Sequence, residues 1–320
     1  MELRFYKLIA CVLCMLLLTG CAGNQKGNST SAKGESSWEM QFSEAELPEH
    51  PAIPDILQPE ASGVSVEETD RAVIDYSNTA DGYVMVYVKE ETENRLKVQV
   101  KGPSTTYTYN IAVGKWETFP LSDGNGTYRV TLLENVEGSK YAQVQSVSAE
   151  VTLKDEFAPF LRPNQYVAYG DAAETVKKAA QLCDGKSTEL EKVQRIYEYV
   201  IHTLTYDKEL AATVQSGYLP ELDRVLETKK GICFDYAALM TGMLRSQSVP
   251  CKLVVGYAGE AYHAWISVYT EKDGWIDNVI YFDGATWKRM DPTFASSGMG
   301  SEDMLEYIGD GTNYTEKYLY

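Results

Sequence analysis

The sequence predicts an α+β protein in two folded regions, the first built of strands alone and the second of helices packed on an antiparallel sheet. Three observations carry that prediction. Short β-branched and aromatic runs separated by turn residues fill the stretch after residue 65. A capping box followed by apolar residues at helical spacing opens the second region, and alternating strand-like runs return behind a further helix. The expected division is a targeting segment over 1–21, a tether over 22–65, a β region over 66–155 and an α+β region over 156–320.

In the targeting segment Arg4 and Lys7 precede an apolar run from Leu8 to Leu18, too short for a permanent transmembrane helix and suited to a signal peptide. It closes on Leu18-Thr19-Gly20-Cys21, which resembles the bacterial lipobox. That resemblance implies that Cys21 becomes the lipidated first residue of the mature chain. It would place the protein on the outer face of a bacterial cytoplasmic membrane. An ordinary signal peptide with an incidental Cys21, or an anchor helix, are the alternatives. The tether that follows is rich in Gly, Ser, Glu and Pro, and Lys26 and Lys33 stand against Glu35, Glu39, Glu44, Glu46, Glu49, Asp55 and Glu60. Such a segment buries little and repels itself into an extended spacer.

The chain carries 46 acidic and 29 basic residues, a net charge of −17 that argues against nucleic acid as a partner and against docking on anionic headgroups. Of the 6 cysteines, Cys11, Cys14 and Cys21 fall in the targeting segment, leaving Cys183, Cys233 and Cys251. An odd number leaves at least one thiol free or paired with another chain; Cys183 and Cys251 either pair with each other or are two buried thiols. No Cys/His spacing of a zinc site and no calcium loop occurs, so neither metal nor cofactor is expected.

In the β region, Tyr83–Val88, Leu96–Val100, Tyr107–Tyr109, Tyr128–Leu132 and Val144–Val147 read as strands, with Asp81-Gly82, Asp123-Gly124 and Asn125-Gly126 as turns. Strands at that spacing suggest an antiparallel sandwich of immunoglobulin-like type. With 23 tyrosines in the chain, a sugar-stacking surface is conceivable there, but tyrosine is equally at home on a half-buried sheet.

From Asp155 the pattern changes. A connector through Pro159 and Pro163 leads to two helices, the second opened by Thr188 and Glu191 and carrying Val193, Ile196, Tyr197, Val200, Ile201 and Leu204 on one face. A loop through Gly217 and Pro220 leads to a helical turn at Asp223–Leu226. Phe234 to Gln247 then reads as a helix, with Cys233 at its mouth behind Gly231. Free N–H groups and the positive end of the helix dipole favour a thiolate at such a position. Cys251–Tyr257 and His263–Val268 read as paired strands, and Trp287–Asp291 as a third that Pro292 stops, so that His263 and Asp291 come side by side in a meander. A thiol at a helix mouth, an imidazole and a carboxylate are the parts of a nucleophile, its base and its orienter. Each alone has a structural reading: a buried thiol, a strand histidine, a turn-capping aspartate.

Together the residues carry a resemblance. Gly-x-Cys opening a helix, then His263-Ala264-Trp265, then Asp291-Pro292-Thr293, looks like the transglutaminase-like domain of the papain-like cysteine enzymes, over roughly residues 185 to 295. The resemblance implies a papain-like core in the second region, with Cys233 as nucleophile, His263 as general base and acid, and Asp291 as orienter. For the oxyanion, the backbone N–H of Cys233 is the first donor, and Tyr206, just past the capped helix, is a candidate second donor or else a packing residue. The expected chemistry is acyl transfer or hydrolysis at amide bonds of an extracellular peptide or protein, cell-wall peptide included. The rival class is a scaffold lipoprotein with an idle site, with the Glu271-to-Gly284 stretch as an occluding flap. Substrate, acceptor and oligomeric state are not legible.

Overall fold

A computed structural model describes residues 47–277, 281–282, 287–288 and 314–320. They form an α+β fold of antiparallel sheets and few helices. From Leu47 on, the stretch expected as part of a solvated spacer lies against the body instead. Leu47 and Ile56 pack on the core, Gln181 donates to the Pro48 carbonyl at 3.0 Å, and Gln58 donates to Asp171 at 2.8 Å. Burying the apolar side chains of Leu47 and Ile56 ties the segment down.

Eight strands make two four-stranded antiparallel sheets. β1 (Val66–Glu68), β2 (Ala72–Asp75), β3 (Tyr83–Val88) and β6 (Trp116–Pro120) pair in the order β1-β2-β3-β6. β4 (Leu96–Lys101), β5 (Thr106–Asn110), β7 (Gly126–Glu137) and β8 (Lys140–Val151) pair as β5-β4-β7-β8. Period two decides which faces turn inward. Leu96, Val98 and Val100 are buried while Lys97, Gln99 and Lys101 are not, and Tyr107 and Tyr109 alternate with exposed threonines. Gly82 and Gly124 adopt positive φ (82° and 77°) at the expected turns.

A connector crosses from β8 through a 3-10 turn at Ala158–Phe160. Its Arg162 and Lys154 both reach Asp81, at 3.0 and 2.6 Å. The helices are α1 (Glu174–Cys183), α2 (Glu189–Thr203), α3 (Lys208–Thr213), α4 (Leu222–Thr228) and α5 (Cys233–Ser246). The Thr188–Glu191 capping box forms as its sequence predicts. Helix α5 is the centre of this half. All but its first two residues are buried, and α1, α2 and α4 pack around it.

Its remaining face lies on a sheet ordered β13-β12-β11-β16: β13 (Gly274–Ile276), β12 (Ala261–Thr270), β11 (Cys251–Ala258) and β16 (Tyr314–Leu319). Among the described residues β13 pairs with the Val268–Thr270 end of β12; of the strand expected over Trp287–Asp291 only residues 287–288 are described. Strands β14 (Tyr281–Phe282) and β15 (Trp287–Lys288) pair with each other. Four residues with Asp-Gly separate them, which suits a local hairpin. Arg245, buried near the end of α5, donates to the carbonyls of Cys251, Arg162 and Tyr320 at 2.6–2.9 Å, clasping helix, connector and sheet together.

Candidate active site

The site is assembled by a short parallel pair. β9 (Thr205–Tyr206), directly after α2, lies beside β10 (Lys230–Gly231), directly before α5. The Thr205 amide donates to Lys229 and the Asp207 amide to Gly231, each at 2.9 Å. Tyr206 is therefore aligned with Gly231, two residues before Cys233, and is partly buried against the core.

Cys233 is the first residue of α5, half-buried and a free thiol. The first N–H groups of a helix have no partner within it. Ile232, at the cap position, has no side-chain oxygen to offer them, so the donors around Cys233 face out of the helix end. The Ile232 amide itself is taken by the Asp235 carboxylate at 2.8 Å.

His263 lies on β12, which packs against α5, and is 7% exposed. Its cross-strand partner is Gly256. A side chain at Gly256 would sit 2.8 Å from the Trp265 ring, so the missing Cβ leaves room for that indole. Trp265, wholly buried, stacks on the His263 ring at 6.4 Å and 27°. Cys233 opens α5, the helix that packs on β12. Burial, with Tyr318, Tyr257 and Cys233 nearby, pushes the Tyr262 hydroxyl above its ordinary range, and Tyr262 immediately precedes His263. Asp291 and the lipid-attachment candidate Cys21 lie outside the described residues. Among the described residues no group of three or more His, Cys, Asp or Glu converges as a metal would need.

Cys183 and Cys251 are buried and unpaired with each other. Burial pushes both thiols up to about 12. Of the three cysteines among the described residues, Cys233 alone is partly exposed.

Sequence reasoning missed three residues here. Tyr262 and Tyr257 are 59% and 39% exposed, and their rings meet edge-on at 5.5 Å on β12 and β11. Asp235, fully buried, sits within a turn of Cys233; the acid at the third position of a helix behind Gly231 was a readable signal.

A helix opening on a cysteine, packed on an antiparallel sheet whose strand carries a histidine, is the layout of the papain-like superfamily. Residues 176–292, a stretch that includes Cys233, His263 and Asp291, match the model of the Transglutaminase-like superfamily, and the chain carries a domain of that superfamily there. Over 111 residues the chain is 33% identical to the kyphoscoliosis peptidase of Mus musculus, an alignment covering 34% of this chain and 16% of that protein. Over 176 residues it is 25% identical to the uncharacterized protein YebA of Bacillus subtilis, covering 47% of this chain and 22% of that protein. The chain thus spans under a quarter of either relative. Among solved structures, a candidate cysteine protease from Cytophaga hutchinsonii aligns at 16% identity with a TM-score of 0.36, over 80% of this chain and 74% of that one.

Proposed function

We propose that the chain is a cysteine-dependent enzyme that cleaves or transfers acyl groups at amide bonds of extracellular peptides or proteins. The observation that carries this reading is a half-buried thiol on the first residue of α5, a helix packed on the strand that holds a buried histidine. The Cys233 thiolate attacks the carbonyl carbon of a carboxamide or peptide. The oxyanion is held by the Cys233 N–H, with Tyr206 as second donor. Protonated His263 gives its proton to the leaving amine as the C–N bond breaks, leaving a thioester on Cys233. Water or a second amine then adds, His263 takes its proton, and the C–S bond breaks to restore the thiolate. Asp291 holds the imidazole in its tautomer. Water as acceptor makes the protein a protease or deamidase; an amine makes it a cross-linking enzyme. We place it on the outer face of a bacterial membrane through a lipid on Cys21, with cell-wall peptide among its substrates. The strand region is read as an immunoglobulin-like sandwich.

The test is the rate of iodoacetamide alkylation against pH, for wild type and His263→Ala. Peptide mapping reads the alkylation at Cys233, apart from the buried Cys183 and Cys251 and from Cys11, Cys14 and Cys21 of the targeting segment. Rapid alkylation below neutral pH that slows without His263 supports a thiolate–imidazolium pair. Identical profiles centred near the free-thiol value of about 8.5 sink it and favour an idle scaffold. Full activity in Tyr206→Phe would remove that residue as a donor.

A further inference from the structure

Behind the thiol lies a chain of three polar side chains, Asp235 buried and Tyr218 and Arg224 half-buried. Asp235, with no exposed surface, accepts two hydrogen bonds: from the Ile232 amide on one oxygen at 2.8 Å and from the Tyr218 hydroxyl on the other at 2.6 Å. The Tyr218 oxygen in turn accepts from Arg224 at 2.8 Å. Asp235 also needs the space left by Gly231, because a Cβ there would stand 2.5 Å from the Asp235 Cβ and 3.0 Å from its Oδ2. Burial raises the Asp235 carboxyl above its ordinary range, against the pull of Tyr218, the Ile232 amide and Arg224. Burying a carboxylate is costly, and an apolar residue could fill the same space. Something local must justify the acid.

The hydrogen-bonding pattern identifies it. The amide that Asp235 engages belongs to Ile232, so its carboxylate fixes the peptide plane between Gly231 and Ile232, one plane before the peptide that carries the Cys233 amide. With Ile232 extended at φ −95° and ψ 176°, the held plane sets the direction of the Ile232–Cys233 peptide and so the aim of the Cys233 amide. We infer that Asp235 is a positioning residue for the nucleophile, held by Tyr218 and Arg224, and that it aims the Cys233 amide at the oxyanion of the reaction proposed above. The inference rests on that reaction for its purpose and on the hydrogen bonds for its geometry. It also ties the loop before α4 to the reactive thiol. That loop abuts the strand region, since a Cβ on Gly217 would lie 2.6 Å from the Asn110 amide nitrogen at the end of β5.

The experiment uses the full chain and three variants: Tyr218→Phe, Asp235→Asn and Gly231→Ala. Tyr218→Phe removes one hydroxyl; Gly231→Ala displaces Asp235 without touching its charge. Two reactions of Cys233 are compared. Acylation by p-nitrophenyl acetate needs the oxyanion held, whereas iodoacetamide alkylation at about pH 10, where an ordinary thiol is ionised, does not. Acylation should fall by about 10- to 100-fold in all three variants, with alkylation within about 2-fold of wild type. Wild-type acylation in Tyr218→Phe would overturn the inference. So would a parallel fall of both reactions, which would mean that these residues only keep the segment folded. If wild type itself is not acylated, the proposed enzyme activity fails first. The inference is then decided by hydrogen exchange at the Ile232 amide: faster exchange confined to that segment in Tyr218→Phe sustains it, and wild-type protection there refutes it.

Discussion

Replacing Gly256 by alanine should loosen the edge of the sheet that carries the candidate base, although it adds only a methyl group. An added Cβ would meet the Thr315 carbonyl oxygen on β16 at 2.0 Å and the Trp265 ring at 2.8 Å. An ordinary carbon contact is about 3.5 Å, so β16 must retreat by about 1.5 Å. Such a shift breaks the pairing on one side of the bulge, where Gly256, Tyr257 and Ala258 face Glu316, Thr315 and Tyr314. Two or three backbone hydrogen bonds at about 1 kcal/mol each, with residual crowding of the indole, give a cost of about 2–4 kcal/mol. Urea denaturation of wild type and Gly256→Ala at neutral pH reads that cost. Hydrogen exchange locates it, and the β16 amides should lose protection ahead of those of β12. A variant within about 0.5 kcal/mol of wild type, or one whose β16 amides exchange normally, would refute the reasoning.

Three further substitutions test the frame around the site. Arg245→Lys replaces a fork that satisfies carbonyls of Cys251, Arg162 and Tyr320 with a single ammonium, and chemical denaturation should register a loss of about 2–4 kcal/mol. The Lys154 hydrogen bond, with Arg162 beside it, holds the Asp81 carboxyl below its ordinary range. A depressed carboxyl contributes stability above its unfolded pKa and loses it as pH falls through the folded one. Asp81→Asn should therefore cost about 0.5–1 kcal/mol at pH 7, a cost that shrinks as pH falls below the unfolded value of about 3.9 and vanishes only below the folded pKa, a convergence that urea midpoints at falling pH would show. Thr188→Ala deletes the oxygen that caps the Glu191 amide at 3.2 Å and should cost about 1 kcal/mol in the same assay.

The parts of the fold legible in the sequence are those where local pattern and burial agree. The α2 capping box, the run from Cys233 to Ser246 and the pairing of β11 with β12 each carry their own periodicity. Elements hidden from that reading lack a local signature. β2 is buried throughout, and its Asp75 survives in the core because it accepts from the Gly63 and Ser77 amides at 2.7 and 2.9 Å. β16 reads as a polar tail in Thr315-Glu316-Lys317; its place depends on a glycine some sixty positions away, which no local window connects to it. In the site, Cys233 and His263 stand out because their residue types are rare and their neighbours suggestive. Tyr218 does not, since nothing in a loop announces that its hydroxyl will reach Asp235.

The tyrosines that suggested a half-buried sheet do more than cover one. Tyr109 on β5, 1% exposed, touches the rings of Phe119 at 4.9 Å, Tyr166 at 5.6 Å and Tyr320 at 5.7 Å. Tyr107 meets Tyr318 and Tyr320, each at 5.7 Å. Tyr166 continues to Phe234, next to Cys233, at 5.4 Å. This seam of rings runs from the strand region to the mouth of α5, and the buried residues of both regions belong to one apolar cluster. Two regions that share a core unfold together, because neither keeps its apolar surface covered without the other. Calorimetry should therefore show a single transition. Tyr109→Ala, costing about 3–5 kcal/mol by analogy with other buried aromatics, should lower that transition as a whole by several degrees. Two transitions, of which only one moves, would mean that the seam is a contact between independent units. The strand region would then be a spacer that leaves the thiol indifferent to its presence.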